Sequence, residues 1–279
     1  MAEVIGGVAT SHVPAVGAAI DKDRMGEPYW APYFAKLEPL RRWIGDLEPD
    51  ICVLIYNDHA NAFSLELIPT FAIGLADTFR PADEGFGRRP VPDVPGHPDL
   101  AWHLAESLIL DEFDMTLVNE LEVDHGLTVP LSVMFGQPKA WPCPIVPILV
   151  NVVQYPPPTG RRCYNLGRAI RRAVDSFPGK ERVLIVGTGG MSHQLQAERA
   201  GLLNPAFDTR FMDLLVHDPA SAAAITHTEY LREAGSEGIE LVMWLIMRGA
   251  LNENVREVYR ATHLPTSNTH NGLLVLEER

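Results

Sequence analysis

The sequence predicts an α/β fold: a single large sandwich-like domain over residues 1–279, with a mostly buried mixed sheet covered by helices. Three observations predict it. Apolar runs of strand length alternate with longer segments of helical character. Several runs are continuously apolar, as expected of strands covered on both faces. A chain of 279 residues that is 46% hydrophobic can also bury a substantial core, and no internal repeat divides it.

Taken in order, strands are expected near residues 3–10, 50–57, 67–74, 115–119, 144–153 and 182–187. Helices are expected near 33–46, 97–112, 162–176, 206–217 and 237–250. The first run, Val4 to Ala9, breaks at His12-Val13-Pro14, and the second, Ile51 to Tyr56, breaks into Asn57-Asp58-His59. The segment around 76–97 is too rich in proline and glycine for a regular element, and such loops often serve as lids or binding loops. Its Arg80, Arg88 and Arg89 are candidates to attract an anionic substrate, with a stiff solvated connection as the equal alternative. Tyr155-Pro156-Pro157-Pro158-Thr159-Gly160 disfavours helix and sheet, and reads as a turn between halves. The run Arg182 to Val186 enters the Gly-rich turn Gly187-Thr188-Gly189-Gly190, where backbone can approach a ligand closely.

The last helix carries the sharpest signal. Glu240 opens an apolar stretch, with Met243, Trp244 and Met247 at i+3, i+4 and i+7 on its own face. A carboxylate buried there costs several kcal/mol unless it is paired or metal-bound. The alternative is a solvated acid in the first turn, favoured by the helix dipole. His12 and His59 each end a strand, where open α/β sheets form their binding crevice. Two His and one carboxylate are the ligand set of a mononuclear Fe(II) centre with open positions, so His12, His59 and Glu240 are the candidate ligands. His193, after the Gly-rich turn, and His125, in Val123-Asp124-His125-Gly126, are candidate proton-transfer groups. Asp124 beside His125 is equally explained as part of a polar turn.

Composition restricts the partners. Net charge of −13 argues against nucleic acid and anionic membrane, so an anionic ligand must be held by local donors. Cys52, Cys143 and Cys163 are odd in number and lack metal-type spacing; a reducing, cytoplasmic setting without disulfides is expected. Neither a signal-like segment nor an apolar run near the ~20 residues of a membrane span is present.

The motifs Thr10-Ser11-His12-Val13-Pro14-Ala15, Tyr56-Asn57-Asp58-His59-Ala60, Pro81-Ala82-Asp83-Glu84-Gly85, Val123-Asp124-His125-Gly126, Gly189-Gly190-Met191-Ser192-His193-Gln194 and Gly235-Ser236-Glu237-Gly238-Ile239-Glu240-Leu241 together resemble the class III extradiol ring-cleavage dioxygenases. The resemblance runs from about residue 3 to Thr269 and is greatest to the catalytic beta subunits of the protocatechuate 4,5-cleaving type. It implies non-haem Fe(II) held by His12, His59 and Glu240, His193 as acid/base, and His125 in the substrate pocket. It further implies Ser267 near the substrate carboxylate and Asn57 as a pocket residue. Thr266-Ser267 departs from the Ala-Ser the family pattern leads one to expect.

The expected reaction is O2-dependent opening of a catechol carboxylic acid beside its diol, protocatechuate first, with both oxygen atoms incorporated. Gallate or another substituted catechol is the alternative, followed by a zinc hydrolase and a non-catalytic binding protein on the same fold. Only 12 residues follow Ser267, too few for a covering domain. The resemblance therefore implies a small alpha subunit in an α2β2 assembly.

Overall fold

A computed structural model describes residues 1–266 and 268–278. Its strands are β1 (Glu3–Thr10), β2 (Ile51–Tyr56), β3 (Phe71–Gly74), β4 (Thr78–Pro81), β5 (Val94–Pro95), β6 (Met115–Val118), β7 (Glu122–Val123), β8 (Ile145–Val150), β9 (Arg182–Thr188), β10 (Val255–Thr266) and β11 (Thr269–Glu278). The helices are α1 (Pro14–Asp21), α2 (Ala31–Ala35), α3 (Glu38–Leu47), α4 (Pro98–Leu110), α5 (His125–Phe135), α6 (Gly160–Ser176), α7 (Pro205–His217), α8 (Pro219–Ala223), α9 (His227–Glu233) and α10 (Val242–Gly249), the last preceded by a 3-10 turn over Glu237–Leu241.

Eight strands form one mixed sheet in the order β10-β11-β1-β9-β2-β8-β3-β6, and β5-β4-β7 form a small second sheet. The central strands β1, β9, β2 and β8 run parallel. Alternate residues of β2 enter opposite cores: Ile51, Val53 and Ile55 join α4, α6, α7 and α10 on one face, while Cys52, Leu54 and Tyr56 join α1, α3 and α5 on the other. Both faces being covered is why these strands are continuously apolar. Because β1, β9 and β2 are parallel neighbours, the three loops that carry His12, His193 and His59 emerge at one edge of the sheet.

The structure differs from the sequence reading in identifiable places. The C-terminal hairpin β10–β11 was not expected. Its outer strand is half-buried and interrupted by Arg256, Glu257 and Arg260, and its inner strand finds its partner in β1, with Thr10 opposite Leu273. Helix α5 was also missed: ten of its residues are buried on all sides, so no amphipathic period marks it, and Pro130 lies inside it. The expected helix over 33–46 is two pieces broken at Lys36 and Leu37, and that over 237–250 begins as 3-10.

Helices α6 and α10 touch backbone to backbone. A Cβ on Gly167 would lie 2.1 Å from the Ile246 carbonyl oxygen, and one on Gly249 would lie 2.2 Å from that of Tyr164. Neither neighbour is a flexible side-chain end, so Gly167→Ala is expected to destabilise the protein by about 1–3 kcal/mol. The denaturant midpoint should fall with unchanged slope; an unchanged midpoint would contradict this close helix contact.

Candidate active site

Each imidazole is held from behind. His12, 4% exposed, has Nδ1 3.1 Å from the Thr188 hydroxyl at the end of β9. The His59 backbone N–H and Nδ1 both lie 2.8 Å from Asp124 Oδ2. His193 Nδ1 donates to the Met191 carbonyl at 2.7 Å. His125 donates its backbone N–H to Glu84 Oε1 at 2.8 Å, and its Nδ1 makes a short bond to Glu84 Oε2. In a neutral ring whose Nδ1–H is engaged by an acceptor, Nε2 carries the lone pair, and outer-shell acceptors of this kind set the tautomer of metal-bound histidines.

Glu240 reaches the same place from the 3-10 turn. Its Oε2 accepts the Gly190 N–H at 2.6 Å and lies 3.3 Å from His12 Nε2 and 3.9 Å from His193 Nε2. The turn fits closely over the end of β9: Gly189 has φ +128°, and a Cβ there would strike Glu240. The Trp244 indole donates to the Gly189 carbonyl at 3.2 Å. The i+4 face expected of Glu240 is thus what docks it on the sheet.

Burial pushes the Glu240 carboxyl up, but His12 first, then His193 and His59, more than offset it and hold it well below the usual range. Burial pushes the His12 imidazole down, outweighing the pull of Glu240. At His59 burial acts downward too, yet the Asp124 carboxylate outweighs it and raises the imidazole to about 9. Asp124 is held at about 2 despite burial, chiefly by His59. Asp124 is therefore more than part of a polar turn: it carries His59, and its other oxygen caps α5 through the Gly126 N–H.

The ligand atoms of His12, His59 and His125 lie within 4.8 Å of one another, an alternative three-imidazole set. Ring geometry separates the two sets. His59 and His125 stack with centroids 3.9 Å apart and planes 29° from parallel, whereas His12 is edge-on to His59 at 80°. An imidazole donates its lone pair in the ring plane, and a metal sits ~2.1 Å from the nitrogen. A single ion is well aligned with only one of two stacked rings. A buried carboxylate held below its usual range beside His12 Nε2, with His59 edge-on to His12, is a donor set that suits a divalent cation with open positions.

His12, Asn57, His59, His125, His193 and Glu240 all line one cavity of about 440 Å³, walled on its apolar side by Val152, Val153 and Leu195. The structure thus brings six of the seven expected site residues together. The seventh, Ser267, lies outside the described residues. Asn57 Nδ2 is 3.0 Å from His59 Nε2, and its buried Oδ1 has no hydrogen-bond partner among the described residues. The arginines do not reach this cavity: Arg88 pairs with Glu122, Arg89 pairs with Asp21 at 2.7 Å, and Arg80 is exposed elsewhere. Sequence reasoning missed Thr188 and Glu84 as supports. Their signal was present for Glu84, which stands in a quoted motif, and absent for Thr188, whose role depends on β1 pairing with β9.

Residues 6–271 match the family described as the catalytic LigB subunit of aromatic ring-opening dioxygenase. A gallate dioxygenase from Pseudomonas putida is 46% identical over 198 residues, covering 71% of this chain and 58% of that protein, so the chain spans little more than half of this relative. A 2,3-dihydroxyphenylpropionate/2,3-dihydroxicinnamic acid 1,2-dioxygenase from Burkholderia vietnamiensis is 29% identical over 255 residues, covering 76% of this chain and 78% of the relative. The same-named protein from Cupriavidus necator is 30% identical over 248 residues, covering 73% and 76%. An uncharacterized protein from Escherichia coli K12 shares the fold, with a TM-score of 0.58 at 15% identity, over 99% of this chain and all of that one. Motif order and a match over residues 6–271 agree: the chain belongs to the LigB family of aromatic ring-opening dioxygenase catalytic subunits.

Proposed function

We propose that the whole chain, 1–279, is one catalytic domain that opens a catechol carboxylic acid beside its diol, using O2 and Fe(II) held by His12, His59 and Glu240. The observation that carries this reading is the meeting of two Nδ1-anchored imidazoles and an ionised carboxylate at a cavity that two further imidazoles line. A ferrous ion there would supply positive charge to the two ring oxygens and electrons for O2.

The protein's own groups do the rest. His193 Nδ1 donates to Met191, which in the neutral imidazole leaves the lone pair on Nε2, the atom that accepts a proton from a ring hydroxyl and returns it later. His125 Nε2 accepts from a further hydroxyl, and Val152 and Val153 exclude water from one side. Among the described residues no arginine lines the cavity, and the resemblance assigns the substrate carboxylate to Ser267. His193 and His125 at one cavity suit a ring with more than one hydroxyl, and the 46% identity to a gallate dioxygenase supports a trihydroxylated substrate. Gallate therefore replaces protocatechuate as the first expectation.

A small alpha subunit in an α2β2 assembly is proposed to cover the cavity, since Val153 and Leu195 are 44% and 52% exposed at its rim. A cytoplasmic setting accords with three buried free cysteines. The test is oxygen uptake by the Fe(II)-loaded protein with gallate, protocatechuate and 2,3-dihydroxyphenylpropionate, with and without a co-expressed small subunit. Gallate is expected to give the highest kcat/KM and a ring-opened product spectrum. Zinc-dependent hydrolysis without oxygen uptake would overturn the reading; full activity of the isolated chain would remove the partner.

A further inference from the structure

The proline- and glycine-rich segment between β4 and β5 is a built device. β4 pairs in parallel with β7, and the Ala82 N–H bonds to the Val123 carbonyl at 2.8 Å, which pins the segment beside the start of α5. Its tip is folded by Asp83, whose Oδ1 accepts the N–H groups of Gly85 and Gly87 at 2.9 Å each. Between these anchors Glu84 turns inward and places both oxygens on one residue, His125, through its backbone N–H and its Nδ1.

A carboxylate oxygen accepts, so the hydrogen of the Nδ1 bond belongs to His125, and the neutral ring then carries its lone pair on Nε2. His125 offers a ring nitrogen within 4.8 Å of those of His12 and His59, but its ring stacks on His59 with centroids 3.9 Å apart, an orientation that would misalign it for an ion held by His59. A lone pair held at the cavity and kept off the metal is an acceptor for substrate.

We propose that Glu84 is a positioning residue for ring opening: it locks His125 in the Nδ1–H tautomer so that Nε2 accepts a hydrogen bond from a hydroxyl of the bound catechol. The segment between β4 and β5 serves to deliver this one carboxylate. The proposal rests on the ring-opening reading of the site.

Two measurements test it. The first needs neither metal nor substrate: 15N NMR of histidine-labelled, metal-free protein, with His125 assigned among the 10 histidines from the spectrum of His125→Gln. The Nδ1–H tautomer is expected in the wild type and its loss in Glu84→Ala, which has no side-chain acceptor; the Nε2–H tautomer in the wild type, or an unchanged tautomer in Glu84→Ala, overturns the proposal. The second is a double-mutant cycle on gallate turnover. Glu84→Gln is expected to lower kcat/KM by about 10- to 100-fold with unchanged iron content, and to cause no further loss in a His125→Gln background. Additive losses, or loss of iron in Glu84→Gln, overturn it. Glu84→Asp keeps the acceptor at shorter reach and is expected to recover part of the loss; a loss equal to that of Glu84→Gln counts against the carboxylate. If the wild-type protein opens no catechol ring, the proposal falls with the functional reading while the tautomer stands; if it does and the cycle is additive, only the role of Glu84 falls.

Discussion

Glu240→Gln is expected to empty the metal site and reduce ring opening to background while the metal-free chain stays folded. The substitution removes the carboxylate that lies beside His12 and His193 and keeps the side-chain volume. Removing only an outer-shell partner already costs about 10- to 100-fold in metal affinity, and a direct donor should cost more. Stability of the metal-free protein should change by only about 1 kcal/mol. The glutamine oxygen can still accept the Gly190 N–H, and the burial penalty of an ionised group disappears. Metal stoichiometry by elemental analysis, paired with denaturant unfolding of the metal-free forms, reads both quantities. His12→Ala and His59→Ala should lose metal likewise. Full iron occupancy in any of the three variants would remove that residue from the ligand set.

His193→Gln separates proton transfer from binding. Its Nε2 is 3.9 Å from Glu240 Oε2, close enough to act on a substrate at the same ion. Turnover should fall by roughly 10²- to 10⁴-fold. Iron content and anaerobic affinity for the catechol should stay near the wild-type values, so that the loss lies in kcat and not in KM. Normal turnover with intact iron would end the acid/base role, and loss of iron would make His193 a ligand. The backbone around it is held separately: the Ser192 N–H and hydroxyl and the His270 Nδ1 all converge on the buried Asp208, and the His193 N–H bonds to the Ala234 carbonyl at 2.8 Å. A change at the His193 side chain should therefore leave the turn in place.

Much of this was legible in the residues. Continuous apolar runs ending in histidine marked β1 and β2 and the edge where their loops emerge, because strands buried on both faces admit few polar residues before they end. Glu240 was legible because a carboxylate at the head of an apolar helix face has few neutral explanations, and the structure places it against the end of β9. The C-terminal hairpin was not legible, since β11 depends on a partner at the opposite end of the chain. Helix α5 was not legible because burial on every side erases the amphipathic period.

By itself the sequence determined the α/β class, the candidate site residues and their strand-end or helix-start positions, all of which follow from local pattern. Only the tertiary structure decided what stands behind each donor. Thr188 meets His12 through β1–β9 pairing, Asp124 crosses from α5 to His59, and Glu84 arrives from the β4–β5 segment to orient His125. The arginines that looked available for a substrate carboxylate were assigned to Glu122 and Asp21 in the same way. The physical reason is common to all of these. A hydrogen bond or ion pair acts over about 3 Å in space, whereas these partners lie 34 to 176 residues apart in the chain, where local pattern carries no information about distance.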